Sequence, residues 1–190
     1  MLIKPSDLRT FRPIADNIDD TARIEPYIRE AETLRLVDVI GAPLYRWLDT
    51  TDFSTGESFT YTLPSGKVTT ITAAQYDELM HGGYYTSPDG CCGNGYSEGL
   101  VAAISYIAYA RFVVNNPINI TAFGVKSKSS SYSENVSDAV LIRSANDAQK
   151  IGEAYLAKCV EQLKSLGLIE CRRYTPGASS KYHVIGKKGL

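Results

Sequence analysis

The chain has 190 residues, enough for one domain and too few for two full ones. Hydrophobic residues make up 44% and charged residues 22%, so a real core can be buried, and the net charge of −1 gives no overall field that attracts nucleic acid or an anionic membrane. No stretch approaches 18 consecutive apolar residues and no apolar signal region opens the chain, so we expect neither a membrane-spanning helix nor standard secretion.

The N-terminal part predicts an arm and then a long helix. Residues 1–19 have the pattern of an extended arm with one helical turn, Leu8–Phe11. Asp19 and Asp20 supply the N-terminal signal of the first long helix. Its apolar stripe is predicted at Ile24, Tyr27, Ile28, Ala31, Leu34 and Val37 or Asp38. Its water-facing side is predicted at Arg29, Glu30, Glu32 and Arg35.

A short helix and a hairpin are predicted next. Gly41 ends the long helix, and Leu44–Leu48 forms a short one in which Trp47 is the expected core anchor. Residues 55–71 alternate apolar and polar side chains around a turn at 64–66, which predicts a β-hairpin insertion. A two-stranded hairpin is marginal alone, so this one must lean on the helices or on another subunit.

The middle of the chain predicts a capped helix, a loop and a central buried helix. Thr72 caps the helix Ala73–His81. Residues 84–96 have the composition of a loop. The segment Ser97–Asn116 is the most apolar in the chain and is apolar over more than half of its circumference, so it is the predicted central helix.

Residues 117–137 contain Pro117, Gly124 and six serines, and they predict an extended arm with a Ser-rich tip. A loop of this length in a compact domain is usually functional or disordered. Asp138–Ser165 is the last long helix, and a basic tail over 168–190 follows it. Its predicted core positions are Ala139, Ile142, Ala145, Ala148 or Gln149, Ile151 or Gly152, Tyr155, Leu156, Cys159 and Leu163. The predicted fold is mainly α: one domain, a helical bundle of about four main helices with a β-hairpin insertion and an extended arm.

Charge is distributed less evenly than the net value indicates. Residues 16–38 hold seven acids against three arginines, while residues 164–190 hold six Lys or Arg against Glu170. One interpretation is an acidic helix face and a solvated basic tail. The other is a pair of complementary surfaces for head-to-tail self-association.

No catalytic, cofactor or metal site is predicted. The four cysteines form neither a disulfide framework nor a zinc-ligand spacing, which favours a reducing compartment. The Gly-rich stretch 90–95 lacks the spacing of a phosphate-binding loop and the lysine that follows it. Cys91 and Cys92 precede a helix and could form a reactive thiol site with His81, although inert loop cysteines are the simpler interpretation.

Five segments carry a resemblance to a known family. They are Asp19–Glu32, Gly41–Tyr45, Tyr76–Tyr84, Gly99–Phe112 and Thr121–Lys126. In this order they resemble phage and prophage proteins related to head–tail connectors, the adaptor or head-completion proteins of tailed phages. The resemblance covers roughly residues 15–160, and its motifs are structural. The hairpin at 55–71 and the basic tail are interpreted as additions particular to this chain.

The resemblance implies a structural virion protein that forms a ring of twelve copies beneath the portal protein. Its expected partners are copies of itself, the portal and the tail-side connector, with non-specific contact to packaged DNA. Its expected location is the virion, and the host cytoplasm during assembly. The subunit and partner contacts are expected at Phe59, Tyr61, Ile118, Ile120, Phe123, Val125, Lys126, Lys128, Arg172, Arg173, Lys187 and Lys188.

Two rival functions stay open. A small intracellular binding or regulatory module encoded in a mobile element would bind DNA through the basic tail with strong salt dependence and without forming a ring. An enzyme built on Cys91, Cys92 and His81 would show a thiol that reacts faster than a free one at neutral pH.

Overall fold

The computed structural model describes residues 1–12, 14, 18–86, 94–115, 118–121, 124–127 and 138–170, and for 118–121, 124–127 and Asp138 it describes the backbone. The chain is mainly helical, as predicted, and small antiparallel hairpins accompany the helices. No helix in this part of the chain combines the length and the apolar composition that a membrane span requires.

The first helix, α1, spans Pro5–Phe11 and is three residues longer than predicted. Proline suits the first helical turn, where its missing N–H is not needed. The Asp7 carboxylate accepts a hydrogen bond of 2.8 Å from the backbone N–H of Lys4, which closes the N-terminal end of the helix. Leu8 packs α1 against the core, and its side chain is fully buried there.

A helical run from Asp20 to Ile40 follows and contains two π-helical turns that were not predicted. It consists of π1 (Asp20–Ile24), α2 (Glu25–Ala31), π2 (Glu32–Leu36) and α3 (Val37–Ile40). The N-terminal signal was predicted correctly: the Asp19 carboxylate accepts a hydrogen bond of 2.9 Å from the N–H of Ala22.

The π turns decide which side chains of this run are buried. Buried side chains recur at every fourth residue, at Ile24, Ile28, Glu32, Leu36 and Ile40. In a regular α-helix each step of four residues drifts by about 40° around the axis, so five such positions would leave the core face. The wider π turns reduce this drift. Two predictions are therefore wrong: Glu32 is 1% exposed rather than facing water, and Leu34 is 55% exposed rather than lying in the apolar stripe.

Gly41 adopts φ +85° and ends this run, as predicted. The next helix, α4, spans Ala42–Thr50 and buries Leu44 and Leu48. Trp47 lies at the edge of the core, with its ring centroid 5.1 Å from that of Tyr61.

The hairpin consists of β1 (Ser58–Thr62) and β2 (Val68–Thr72), joined across the predicted turn. Phe59 lies opposite Ile71, which puts these two residues and Tyr61 on the same face, packed against the core. Val68 lies opposite Thr62 on the other face and is 59% exposed. Register therefore explains why Val68 and Ile71 are out of phase in the sequence.

Helix α5 has the predicted bounds, Ala73–His81, and Thr72 and Gln75 form a reciprocal capping box. The segment with loop composition is only partly a loop. Its ends pair as antiparallel strands, β3 (Gly83–Tyr85) and β4 (Gly95–Ser97), with Tyr84 opposite Tyr96.

Helices α6 (Gly99–Asn115) and α7 (Asp138–Ser165) run antiparallel through the centre of the fold. Most of α6 is buried, as its composition predicted. Small residues let the helices approach closely: a Cβ atom added to Gly152 would lie 2.6 Å from Cγ1 of Ile107 and 2.9 Å from the carbonyl oxygen of Ala103. In the sequence between these two helices, β5 (Ile118–Thr121) and β6 (Gly124–Ser127) form an antiparallel pair. Gly167, with φ +71°, ends α7, and the strands predicted beyond residue 170 lie outside the described residues.

Candidate assembly surface

The segment predicted as an extended arm contains a two-stranded antiparallel ribbon. Ile120 lies opposite Val125, and Asn119 lies opposite Lys126. Because side chains alternate along a strand, positions 118, 120 and 125 share one face of the ribbon and positions 119 and 126 share the other. Within the described residues, β5 and β6 form a sheet with each other alone, so each has an edge without a strand partner.

The first turns of α7, which follow this ribbon in sequence, carry large apolar side chains that the described residues leave exposed. Val140 is 54% exposed and Ile142 is 53% exposed, although both have aliphatic side chains. Ala139 is also exposed, so the prediction of core positions at Ala139 and Ile142 is wrong, and Ala145 is the first buried residue among the described side chains of the helix. Val140 and Ile142 are two residues apart and therefore point to different sides of the helix, so the start of α7 exposes aliphatic surface on more than one side. We define the β5–β6 ribbon and residues 139–142 of α7 as the arm surface.

In contrast to these exposed residues, Glu32 has a carboxylate that is buried and hydrogen-bonded within the subunit. It accepts hydrogen bonds from the N–H groups of Leu2 (2.8 Å) and Ile3 (3.1 Å) and from the hydroxyl of Tyr45 (2.8 Å). Burial raises the pKa of the Glu32 carboxyl, and these hydrogen bonds act in the opposite direction. Burial and the facing carboxylate raise the pKa of the Tyr45 hydroxyl, which therefore stays a donor. Glu32 thus fixes the start of the chain to the core.

Several charges of the acidic segment at 16–38 also have partners inside the subunit. Asp20 lies 2.6 Å from a guanidinium nitrogen of Arg9, and Glu30 lies 3.2 Å from one of Arg111. These contacts and the buried Glu32 reduce the charge that the segment can offer to a neighbouring copy. The interpretation of residues 16–38 as an acidic helix face is therefore favoured over their interpretation as a surface complementary to the basic tail.

Of the residues proposed from the sequence as contacts, two serve the core. Tyr61 is 6% exposed, and Phe59 is half-buried with its ring centroid 4.6 Å from that of Phe53. Ile118, Ile120, Val125 and Lys126 lie on the ribbon of the arm surface. The contacts predicted at Phe123, Lys128, Arg172, Arg173, Lys187 and Lys188 lie outside the described residues.

The described part of the chain holds no group of three His, Cys, Asp or Glu side chains that could bind a metal ion. Cys159 is buried beside the Ser97 hydroxyl, 3.3 Å away, and burial raises the pKa of its thiol to about 11, so it stays protonated at neutral pH. His81 is exposed and lies 3.8 Å from Asp77. Cys91 and Cys92, on which the thiol hypothesis rests, lie outside the described residues.

Residues 56–167 match a family of unknown function (DUF6712). The chain belongs to this family. No curated protein and no solved structure matches the chain. The matched residues run from the β1–β2 hairpin to the end of α7 and include the arm surface. The match argues against the interpretation of the hairpin as an addition particular to this chain.

Proposed function

We propose that this protein is a non-enzymatic structural component of a phage or prophage virion, a head–tail connector subunit that forms a ring under the portal. Its partners are further copies of itself, the portal protein and the tail-side connector, and its location is the virion and, during assembly, the host cytoplasm. The helical run Asp20–Ile40 together with α5, α6 and α7 acts as the helical bundle of this subunit.

The arm surface is the observation that carries the proposal. A ribbon of two short strands is marginal on its own, and its open edges favour pairing with another chain. Beside it in sequence, Val140 and Ile142 expose apolar side chains that burial on association would stabilise. A surface with these two properties is suited to contact with another protein molecule.

The arm surface also suits a ring. In a closed ring each subunit meets its neighbour through two different patches, one on each side. The arm surface supplies one patch, and the docking site on the next copy supplies the other.

Native mass measurement tests the proposal, with the protein alone and mixed with the portal ring of the same phage. We expect a complex with several copies of the chain per portal ring, twelve if the ring is complete. A strict monomer in both samples, at concentrations of about 100 times a micromolar dissociation constant, contradicts the proposal.

A matched pair of variants tests the position of the contact. Ile142→Asp places a charge in the arm surface and is expected to lower the affinity for the assembly at least tenfold, because a buried charge without a partner is costly. Leu34→Asp makes a similar change at a helical residue of nearly equal exposure, 55% against 53%, and is expected to leave assembly unchanged. Equal loss in both variants, or in neither, contradicts a contact at the start of α7.

A further inference from the structure

The hairpin formed by β3 and β4 has one buried face and one exposed aromatic face. Tyr85 and Ser97 lie on the inner face and are buried. Tyr84 and Tyr96 lie opposite each other on the outer face, 82% and 47% exposed, with their ring centroids 5.1 Å apart. Strand pairing therefore holds two large rings together in the solvent. Tyrosine is enriched among the residues that carry most of the binding energy in protein interfaces.

Two carboxylate residues lie at the end of this hairpin where β3 begins and β4 ends. A Cβ atom added to Gly83, the first residue of β3, would lie 2.8 Å from Cβ of Glu78. One added to Gly82 would lie 3.1 Å from the carbonyl oxygen of Glu98, which directly follows β4. Glu78 and Glu98 are both exposed. We define these two residues, with Tyr84 and Tyr96, as the tyrosine surface.

The charge of the tyrosine surface has no basic counterpart in the surrounding sequence. No lysine or arginine occurs between Lys67 and Arg111, whereas four acids do. Within the described residues, neither Glu78 nor Glu98 forms an ion pair with a lysine or an arginine. Carboxylates and exposed ring faces both attract a cationic side chain. The tyrosine surface is therefore suited to a partner that combines apolar and basic groups.

The start of α7 has this complementary composition. Arg143 directly follows Ile142 in the arm surface and is exposed. Among the described residues it forms no ion pair, not even with Asp147 one turn further along the helix. Lys126 adds a second positive charge on the β5–β6 ribbon. The exposed aliphatic side chains lie beside these charges in sequence, so the two surfaces are complementary in both charge and apolar character.

The two surfaces lie near opposite ends of α7. The Tyr85 hydroxyl donates a hydrogen bond of 2.6 Å to Oε2 of Glu161, which fixes the β3–β4 hairpin beside the last part of the helix. From position 142 to position 161 the helix rises by about 28 Å, at ~1.5 Å per residue. The start of α7 therefore cannot contact the tyrosine surface of its own chain. Contact between two copies is possible, and it joins two different patches as a closed ring requires.

We propose that the tyrosine surface is the docking site for the arm surface of a second copy of this chain. Aliphatic side chains at the start of α7 pack on the two tyrosine rings, and Arg143 lies near the carboxylates of Glu78 and Glu98. This docking site rests on the proposed function, in which a ring joins neighbouring copies. It adds the second patch of the ring contact and its direction: the end of α7 in one copy faces the start of α7 in the next.

Photo-crosslinking of the full chain on the portal ring tests this contact, with p-benzoylphenylalanine in place of Tyr84. Isotope-labelled wild-type chains are mixed in, so that mass spectrometry recognises crosslinks between copies. We expect crosslinks from position 84 to residues 118–127 or 139–146 of another copy. The same probe at Val68, which is 59% exposed on the outer face of the β1–β2 hairpin, is expected to give none at these residues. Crosslinks from position 84 to other residues only, or no crosslinks, overturn the proposal.

Exchange of charges between the two surfaces tests the same contact by affinity, measured by titration of the portal ring. Glu98→Lys and Arg143→Glu are each expected to weaken assembly about tenfold, because each brings like charges together. Both substitutions in one chain are expected to restore the affinity to within about threefold of the wild type, because opposite charges then face each other again. Glu57→Lys, at an exposed residue outside both surfaces, is expected to have no effect. A double variant as weak as the single variants contradicts the docking site.

Failure of the docking site and failure of the proposed function give different results. A chain that binds the portal without the expected crosslinks keeps the connector role and loses the docking site. A chain that does not bind the portal contradicts the proposed function. Crosslinking of the chain alone at high concentration then decides: crosslinks from position 84 to the arm surface of another copy support the docking site, and their absence overturns it.

Discussion

The middle and the start of α7 belong to one helix and have opposite surroundings. In the middle, Ala145, Ala148 and Gly152 pack tightly against α6, and space at Gly152 is insufficient even for a methyl group. At the start, the larger Val140 and Ile142 are more than half exposed. Along this helix, small residues fill the close contact with α6, whereas two larger aliphatic residues at its start stay exposed. Apolar character alone therefore does not mark the core of the subunit.

The largest effect on stability is expected from adding side-chain volume to the middle of α7, where the helix packs against α6. Gly152→Val would force its side chain into Ile107 and the backbone of Ala103, and we expect the free energy of unfolding to fall by about 3 kcal/mol. Denaturant unfolding measures this, with Ala139→Val at the exposed start as the control, expected to stay within about 0.5 kcal/mol. Wild-type stability in Gly152→Val would contradict the close packing of α6 on α7.

An intermediate effect, dependent on pH, is expected at Glu32, a polar group inside the closed part of the subunit. Because burial raises its pKa above the ordinary carboxyl value of 4.5, the folded state holds the proton to higher pH than the unfolded state does. Its contribution to stability is therefore full below pH 4.5 and is lost as pH rises through the raised pKa.

The variant Glu32→Gln cannot titrate, so its stability is expected to fall less than that of the wild type between pH 4 and pH 7. Urea unfolding at several pH values checks this, and Glu57→Gln, at an exposed residue, is expected to keep the wild-type profile. If the stability of Glu32→Gln varied with pH as that of the wild type does, burial would not raise the pKa of the Glu32 carboxyl.

The smallest effect on stability is expected at the open end. Ile142→Asp should change the free energy of unfolding by less than about 0.5 kcal/mol, because its side chain is already 53% exposed in the single subunit. Thermal unfolding of the isolated protein measures it. A loss of 2 kcal/mol or more would mean that the start of α7 is packed within the subunit, and the contrast with Gly152 would disappear.

The regular elements were predictable because local signals and long-range packing agree there. The bounds of α5 and α7 match the prediction. Thr72 and Gln75 cap α5, and apolar residues recur along α7 at the spacing of an α-helix. The hairpin was also predictable from its alternation and turn. The pairing of β3 with β4 was not, because its three-residue strands flank a segment with the composition of a loop.

The burial of Glu32 and of Gln162 was not predicted. Glu32 was expected in water because a regular helix places it there, and the recurrence of apolar residues at multiples of four, at Ile24, Ile28, Leu36 and Ile40, was the available signal for the π turns. Gln162 occupies a polar position of α7 and becomes buried only when distant elements pack around it. Gly83 makes room for the Glu78 side chain, a close approach that no local sequence pattern indicates.

Hydrogen exchange of the backbone amides of β5 and β6 tests the central proposal most directly, with the protein alone and bound to the portal ring. Because these strands pair only with each other within the described residues, their amides should exchange readily in the isolated protein. In the assembly, we expect exchange in both strands and in residues 139–142 to slow at least about tenfold, while α6 stays unchanged. Unchanged exchange at the arm surface in a chain that is bound to the portal would contradict its role in assembly.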